Sequence, residues 1–296
     1  MEYAPLVPYI EIPALVLVPT GALGGWQTQP LAIQPFGALV ATAVYVGAFL
    51  TVRQSRRLGL DEKRMVSLIT WVVGLGFVCG HVLNWVLYYP ETIVEDPWVL
   101  LRFWEGLSSF GGFIGGSLGV IIWARRTREP VLPYADVIAS AFPAAWVLGR
   151  SGCAAVHDHP GIRSEAWFAV QFPGGGRFDL GLYEMLLTVP LAVAFLWLRR
   201  RPRPWGFYLT VMVLYYAPIR FALDFLRVRD TRYGALTPAQ WLSMGLIVLG
   251  VMLFFRTLRE AGTPASTRVP GRGGARRRGT RQRQPADAAA GQDAPS

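Results

Sequence analysis

The sequence predicts an all-α membrane protein with seven transmembrane helices, the N-terminus outside and the C-terminus in the cytoplasm. Three observations predict it. The 296-residue chain is 52% hydrophobic and 16% charged, whereas soluble domains carry about 25% charged residues. Seven apolar runs are each long enough to cross a bilayer. The basic residues gather in alternate loops, the pattern that sets membrane orientation.

Residues 1–34 are apolar but interrupted by Pro5, Pro8, Pro13, Pro19 and Pro30. Prolines at that density bar a continuous helix, so this stretch reads as a surface arm with a short strand at 14–18. The membrane domain covers 35–257. Its first span, about 35–52, is followed by Arg53, Arg56, Arg57, Lys63 and Arg64. The second, about 66–88, contains His81 and Asn84 and leads into an acidic, aromatic loop with Glu91, Glu95, Asp96, Trp98, Trp104 and Glu105. The third, about 107–124, ends in Arg125, Arg126 and Arg128. The fourth, about 133–149, runs into a polar stretch from Leu148 to Gly161, and a loop continues to about 179. The fifth, about 180–198, ends in Arg199, Arg200, Arg201 and Arg203. The sixth spans about 205–225 and the seventh about 238–255. Residues 258–296 are rich in Arg, Gly, Pro and Ala and read as a disordered basic cytoplasmic tail.

The net charge is +10, and every basic residue but Lys63 is arginine. Placing the loops after spans one, three and five together with the tail on one side collects 21 of the 29 basic residues there. That side is the cytoplasm. The asymmetry explains the charge through the membrane, so nucleic acid is not an expected partner, while membrane lipids are. Eight arginines break the rule: Arg102, Arg150, Arg163, Arg177, Arg220, Arg227, Arg229 and Arg232. Snorkelling is one reason for such residues; a site for an anion at the outer leaflet is another. The i, i+4, i+7 spacing of Arg220, Asp224 and Arg227 favours a site, because it puts all three on one helix face and charges inside spans mark function.

Other features leave alternatives open. Gly111/Gly115/Gly119 and Gly112/Gly116 repeat at small-xxx-small spacing, which suits close helix packing or the approach of a lipid headgroup to bare backbone. His81 either bonds a neighbouring element or takes part in chemistry. Asp136, inside a span, is expected to pair with a neighbour. His157-Asp158-His159 is too compact to close round one ion and no further ligand cluster accompanies it, so no metal is expected. Cys79 and Cys153 are too few for a disulfide framework, and the first residues, Met1-Glu2-Tyr3, lack the basic start of a signal peptide.

Five stretches, in order, resemble the prolipoprotein diacylglyceryl transferase family. Gly149-Arg150-Ser151-Gly152 resembles the start of its signature, with Asp158 at a glutamate position and Gly161 at the closing glycine. Ser108-Ser109-Phe110-Gly111-Gly112 resembles its serine-phenylalanine-histidine-glycine-glycine stretch. Leu182-Tyr183-Glu184 matches a leucine-tyrosine-glutamate. Tyr216, Arg220-Phe221, Asp224-Phe225 and Arg227 follow the family's order, and Leu236-Thr237, Gln240 and Leu242-Ser243 fit the start of its last span. The resemblance covers about 35–255.

It implies transfer of a diacylglyceryl group from phosphatidylglycerol to the lipobox cysteine thiol of a preprolipoprotein, at the outer leaflet of the bacterial inner membrane, with no cofactor. Arg150 and Arg220, assisted by Arg227, would hold the phosphate, stabilising the charge that develops as glycerol phosphate leaves. Tyr183, Glu184, Tyr216, Gly111, Gly112 and Gly161 would complete the substrate site, and Asp158 and Asp224 would act in catalysis. The sequence departs from the pattern at Phe110, where the family has histidine, and at Cys153 and Val156, where it has asparagines; Phe36 replaces a tyrosine. Three outcomes fit: a base relocated to His81, His157 or His159; a paralogue with another acceptor; or a protein that binds lipid or lipoprotein without catalysis. A transporter is disfavoured, because the charges gather at one face and no internal repeat is present.

Overall fold

The computed structural model describes residues 7–18, 31–103, 106–228 and 232–261. Most of the basic tail, parts of the N-terminal arm, Trp104, Glu105 and Arg229 lie outside them. In chain order the elements are β1 (Leu15–Val18), β2 (Leu31–Ile33), α1 (Pro35–Arg57), α2 (Glu62–Tyr88), α3 (Pro90–Glu95), α4 (Ser109–Thr127), α5 (Val131–Val156), β3 (Pro160–Arg163), β4 (Val170–Phe172), β5 (Gly175–Asp179), α6 (Leu180–Leu198), α7 (Phe207–Leu223) and α8 (Pro238–Ala261). A 3-10 turn at Pro97–Leu101 follows α3, and another at Asp224–Leu226 follows α7.

Capping chemistry explains several boundaries. Pro35 occupies the first turn of α1, where its missing N–H costs nothing. Asp61 opens α2 by accepting the Arg64 amide at 3.0 Å, and Asp179 opens α6 by accepting Leu182 N–H at 3.0 Å. Helix α5 ends where His157 turns left-handed, at φ 50°.

Among the described residues six helices are long and apolar enough to cross a membrane: α1, α2, α5, α6, α7 with the turn after it, and α8. Their outer faces leave large apolar side chains bare, among them Val193, Trp197, Met252 and Phe255. Such a surface suits lipid; in water it would be an aggregation patch. The other expected span is also a helix, α4, but five glycines and two terminal arginines dilute its hydropathy.

Helix α4 runs antiparallel to α2 with backbone nearly touching backbone. A Cβ at Gly111 would lie 2.5 Å from the Cys79 carbonyl oxygen, and one at Gly119 would lie 2.6 Å from that of Trp71. The glycine stripe therefore packs helices. Gly111 and Gly112 both border α2, Gly111 the more tightly. Helix α1 packs antiparallel on α5, with Gly47 against Ala145 and Gly152 against Phe36. Beneath one end of the bundle Met65, Leu68, Trp123, Tyr134 and Val137 form a buried cluster, and the Trp123 indole donates to the Arg64 carbonyl at 3.1 Å.

The chain is mostly helical but not all-α. Strands β3, β5 and β4 form an antiparallel sheet in that order, where the sequence suggested only a loop. The arm runs alongside: Gln171 N–H donates to the Val7 carbonyl at 3.0 Å and Ile12 N–H to that of Ala155 at 3.1 Å. The short strand expected at 14–18 is β1, paired with β2.

Candidate active site

Three helices bring their polar side chains to one buried point. Helix α5 runs past residue 149 to Val156, so Arg150 stands on helical backbone, 6% exposed. Its guanidinium meets the Glu184 carboxylate, from the first turns of α6, at 3.1 Å. The same carboxylate oxygen accepts the Trp146 indole N–H at 3.1 Å and the Tyr216 hydroxyl of α7. Trp146 lies one turn before Arg150 and also supplies its ring face, 4.8 Å from the guanidinium carbon. A buried carboxylate beside a cation holds only when its remaining valences are met, and here two neutral donors meet them.

Arg220, one turn beyond Tyr216, is within electrostatic reach of both Glu184 and Arg150. It is anchored from the other side by Asp224, at 2.7 Å. Asp224 is 1% exposed and also accepts the Thr237 hydroxyl, from just before α8. Arg227 approaches the same carboxylate at 3.5 Å. The single helix face expected for Arg220, Asp224 and Arg227 is not present, because α7 stops at Leu223 and Arg227 follows a 3-10 turn with extended backbone. The three still meet. With two arginines and a hydroxyl on it, Asp224 is arranged to hold guanidinium groups in place.

The loop after α5 closes over this cluster. Gly161 bridges to Arg227, and a Cβ there would lie 2.9 Å from the Leu226 carbonyl oxygen, so the close approach of the two segments needs glycine. Tyr183 turns away from Glu184, donating its hydroxyl to the Phe168 carbonyl at 2.7 Å and so holding the loop before β4.

The histidines separate. His81 is fully buried, and its ring nitrogens face the carbonyls of Gly106 and Val99, each at 3.2 Å. His157 has Asp179 at 2.5 Å on one nitrogen and the Ile10 carbonyl at 3.1 Å on the other, and Tyr9 stacks on it at 4.2 Å. Both rings are thus held between protein groups. His159 differs. Its side chain is 27% exposed and bonds the Asp158 carboxylate through Nδ1. Cys153, Asp158 and His159 hold their ligand-type atoms within 4.8 Å of one another, and Cys153 Sγ accepts a weak hydrogen bond from Arg150 at 3.7 Å. Those three atoms form a group of metal-ligand type, but the guanidinium on the sulfur opposes a cation there. Cys79 and Cys153 are both free thiols.

Sequence reasoning missed Trp146 and Asp179. Trp146 was within reach of it, because a residue four before Arg150 shares its helix face.

The chain also matches known sequences. The model of the family described as prolipoprotein diacylglyceryl transferase matches residues 25–256. The phosphatidylglycerol–prolipoprotein diacylglyceryl transferase of Bordetella avium is 31% identical over 246 residues, 78% of this chain and 93% of the relative. That of Idiomarina loihiensis is 29% identical over 244 residues, 79% and 92%, and that of Vibrio parahaemolyticus is 29% identical over 258 residues, 83% and 92%. With the family match running through nearly the whole helical bundle, the chain belongs to the prolipoprotein diacylglyceryl transferase family.

Proposed function

We propose that this protein transfers the diacylglyceryl group of phosphatidylglycerol to the thiol of a preprolipoprotein lipobox cysteine, at the outer leaflet of the bacterial inner membrane. The observation that carries this reading is the convergence of Arg150 and Arg220, from separate helices, around Glu184, with the buried Arg150 Nε left without a hydrogen-bond partner. An unfilled guanidinium donor at such depth suits an incoming phosphate oxygen. In this reading α4 is the seventh span, the Arg150 end faces outward, and the arginine-rich loops and C-terminus lie in the cytoplasm.

The step balances without a cofactor. His159, oriented by Asp158, takes the proton of the peptide thiol. A free thiol is mostly protonated near neutrality, so a base of this kind raises its reactivity. The sulfur attacks the glyceryl carbon that carries the phosphodiester. The carbon–oxygen bond breaks, its electron pair leaves on the phosphate, a thioether forms and glycerol phosphate departs. The phosphate gains charge in this step, and fixed guanidinium groups in a dry site stabilise that change. Asp224 and Glu184 hold the two arginines in position. The apolar helix faces accept the acyl chains, so the reacting bond stays at headgroup depth.

Incubating the purified full chain with phosphatidylglycerol and a lipobox peptide tests the proposal. Release of glycerol phosphate with a matching mass gain on the peptide is expected. Retention of phosphatidylglycerol without release fits the non-catalytic reading, which Phe110, at the family's histidine position, motivates.

A further inference from the structure

A second polar pocket lies at the opposite end of the bundle. Asp136 and Arg150 are both on α5, about 21 Å apart at a rise of 1.5 Å per residue. The pocket forms where the end of α1, the start of α5 and the segment between α6 and α7 meet, and Gln54, Asp136, Ser140, Arg201, Arg203 and Tyr208 line it. Its enclosed part is narrow, with room for about one water-sized group, and it widens to solvent at the mouth.

Three observations single it out. First, three side-chain atoms of its lining are buried without a hydrogen-bond partner: Gln54 Oε1, Arg203 Nε and Tyr208 Oη. A buried polar group left unpaired is costly, so their concentration asks for a ligand. Gln54 and Tyr208 are each 4% exposed and line the pocket itself. Second, most of these atoms are donors, and the Gln54 amide can present its NH2 by a flip. Third, cations crowd here. Arg201 and Arg203 line the pocket, and Arg199, 8% exposed, is within electrostatic reach of Tyr208, Arg57 and Arg53. The acid present, Asp136, is already engaged: it accepts the Leu209 amide at 2.8 Å and bonds the Gly206 and Tyr208 amides as well, capping α7.

We propose that this pocket is a second anion site, taking a phosphate group, with Arg203, Arg201 and the Tyr208 hydroxyl as its ligands. A phospholipid headgroup or a free phosphate ester offers the same chemistry. One phosphate oxygen enters toward Tyr208 while the rest of the group stays at the mouth beside Arg201. This site is separate from the Arg150 cluster and does not depend on the transfer reaction.

Native mass spectrometry of the full chain in neutral detergent tests it. The probes are phosphatidylglycerol, phosphatidylcholine of the same acyl chains, and glycerol 3-phosphate. The wild type is expected to retain two phosphatidylglycerol molecules, Arg150→Ala one, Arg203→Gln one, and the combined variant none. Tyr208→Phe removes only an unpartnered hydroxyl, so the fold persists, and it is expected to weaken the second lipid about tenfold, the worth of one charge-assisted hydrogen bond. Displacement of that lipid by glycerol 3-phosphate identifies a site for free phosphate esters; retention against it identifies a headgroup site. Equal retention of phosphatidylcholine, or unchanged phosphatidylglycerol retention in both Arg203→Gln and Tyr208→Phe, overturns the proposal. Loss of the Arg150-dependent lipid alone would count against the transferase site and leave this one standing.

Discussion

The two ends of the helix bundle treat arginine in opposite ways. At one end each buried guanidinium has its own carboxylate: Arg150 meets Glu184 at 3.1 Å and Arg220 meets Asp224 at 2.7 Å. At the other, Arg199 donates to the Leu50 carbonyl at 2.5 Å, and burial together with the like charges of Arg57 and Arg53 holds its pKa below the ordinary value. The first arrangement fixes geometry, because each anion pins a cation at a set distance. The second leaves positive potential unspent, which suits binding at a charged surface. The same side chain thus serves positioning where acids accompany it and attraction where they do not.

The sharpest way to break the contrast is to remove the carboxylate that three helices share. Glu184→Ala leaves Arg150 buried without its counter-ion and is expected to destabilise the protein by about 3–5 kcal/mol, read as a lowered thermal midpoint in detergent. An unchanged midpoint would mean that the pair does not anchor the bundle. His159→Ala is expected to slow glycerol phosphate release by roughly 100-fold or more, the usual worth of a positioned base, with phosphatidylglycerol binding intact. His81→Ala should lower thermal stability at least as much as it lowers turnover, and the reverse order would restore His81 as a base. Asp224→Asn keeps the size of the side chain but loosens Arg220. It is expected to reduce turnover about tenfold, and Asp224→Glu should recover part of that loss if position is what matters. Arg203→Gln, at the other end, should leave turnover near wild type.

Much of this architecture was legible in the sequence. All seven apolar runs are helices, as the length of each continuous apolar stretch implied. The arginines of the site were legible as violations of a charge pattern, and Arg150, Glu184, Tyr216 and Arg220 do meet. Strands β3 to β5 were not, since three to five residues carry too little alternation, although Pro173-Gly174 is a turn signal. The contacts of the histidines were not legible for a different reason. A histidine's role is set by what its two nitrogens touch, and for His157 one partner is Ile10, 147 residues away. Nothing local to His157 announces that contact. The surroundings of Asp224 were hidden in the same way: Arg220, Arg227 and Thr237 all reach it.

The most direct test of the central claim, that Arg150 and Arg220 grip one phosphate together, is glycerol phosphate release from phosphatidylglycerol by Arg150→Ala, Arg220→Ala and the double variant. Each single change is expected to lower release by roughly 100-fold or more, and the double by little beyond the worse single, because groups that act as a unit lose their effect together. Wild-type release by either single variant, or losses that multiply in the double, would contradict it.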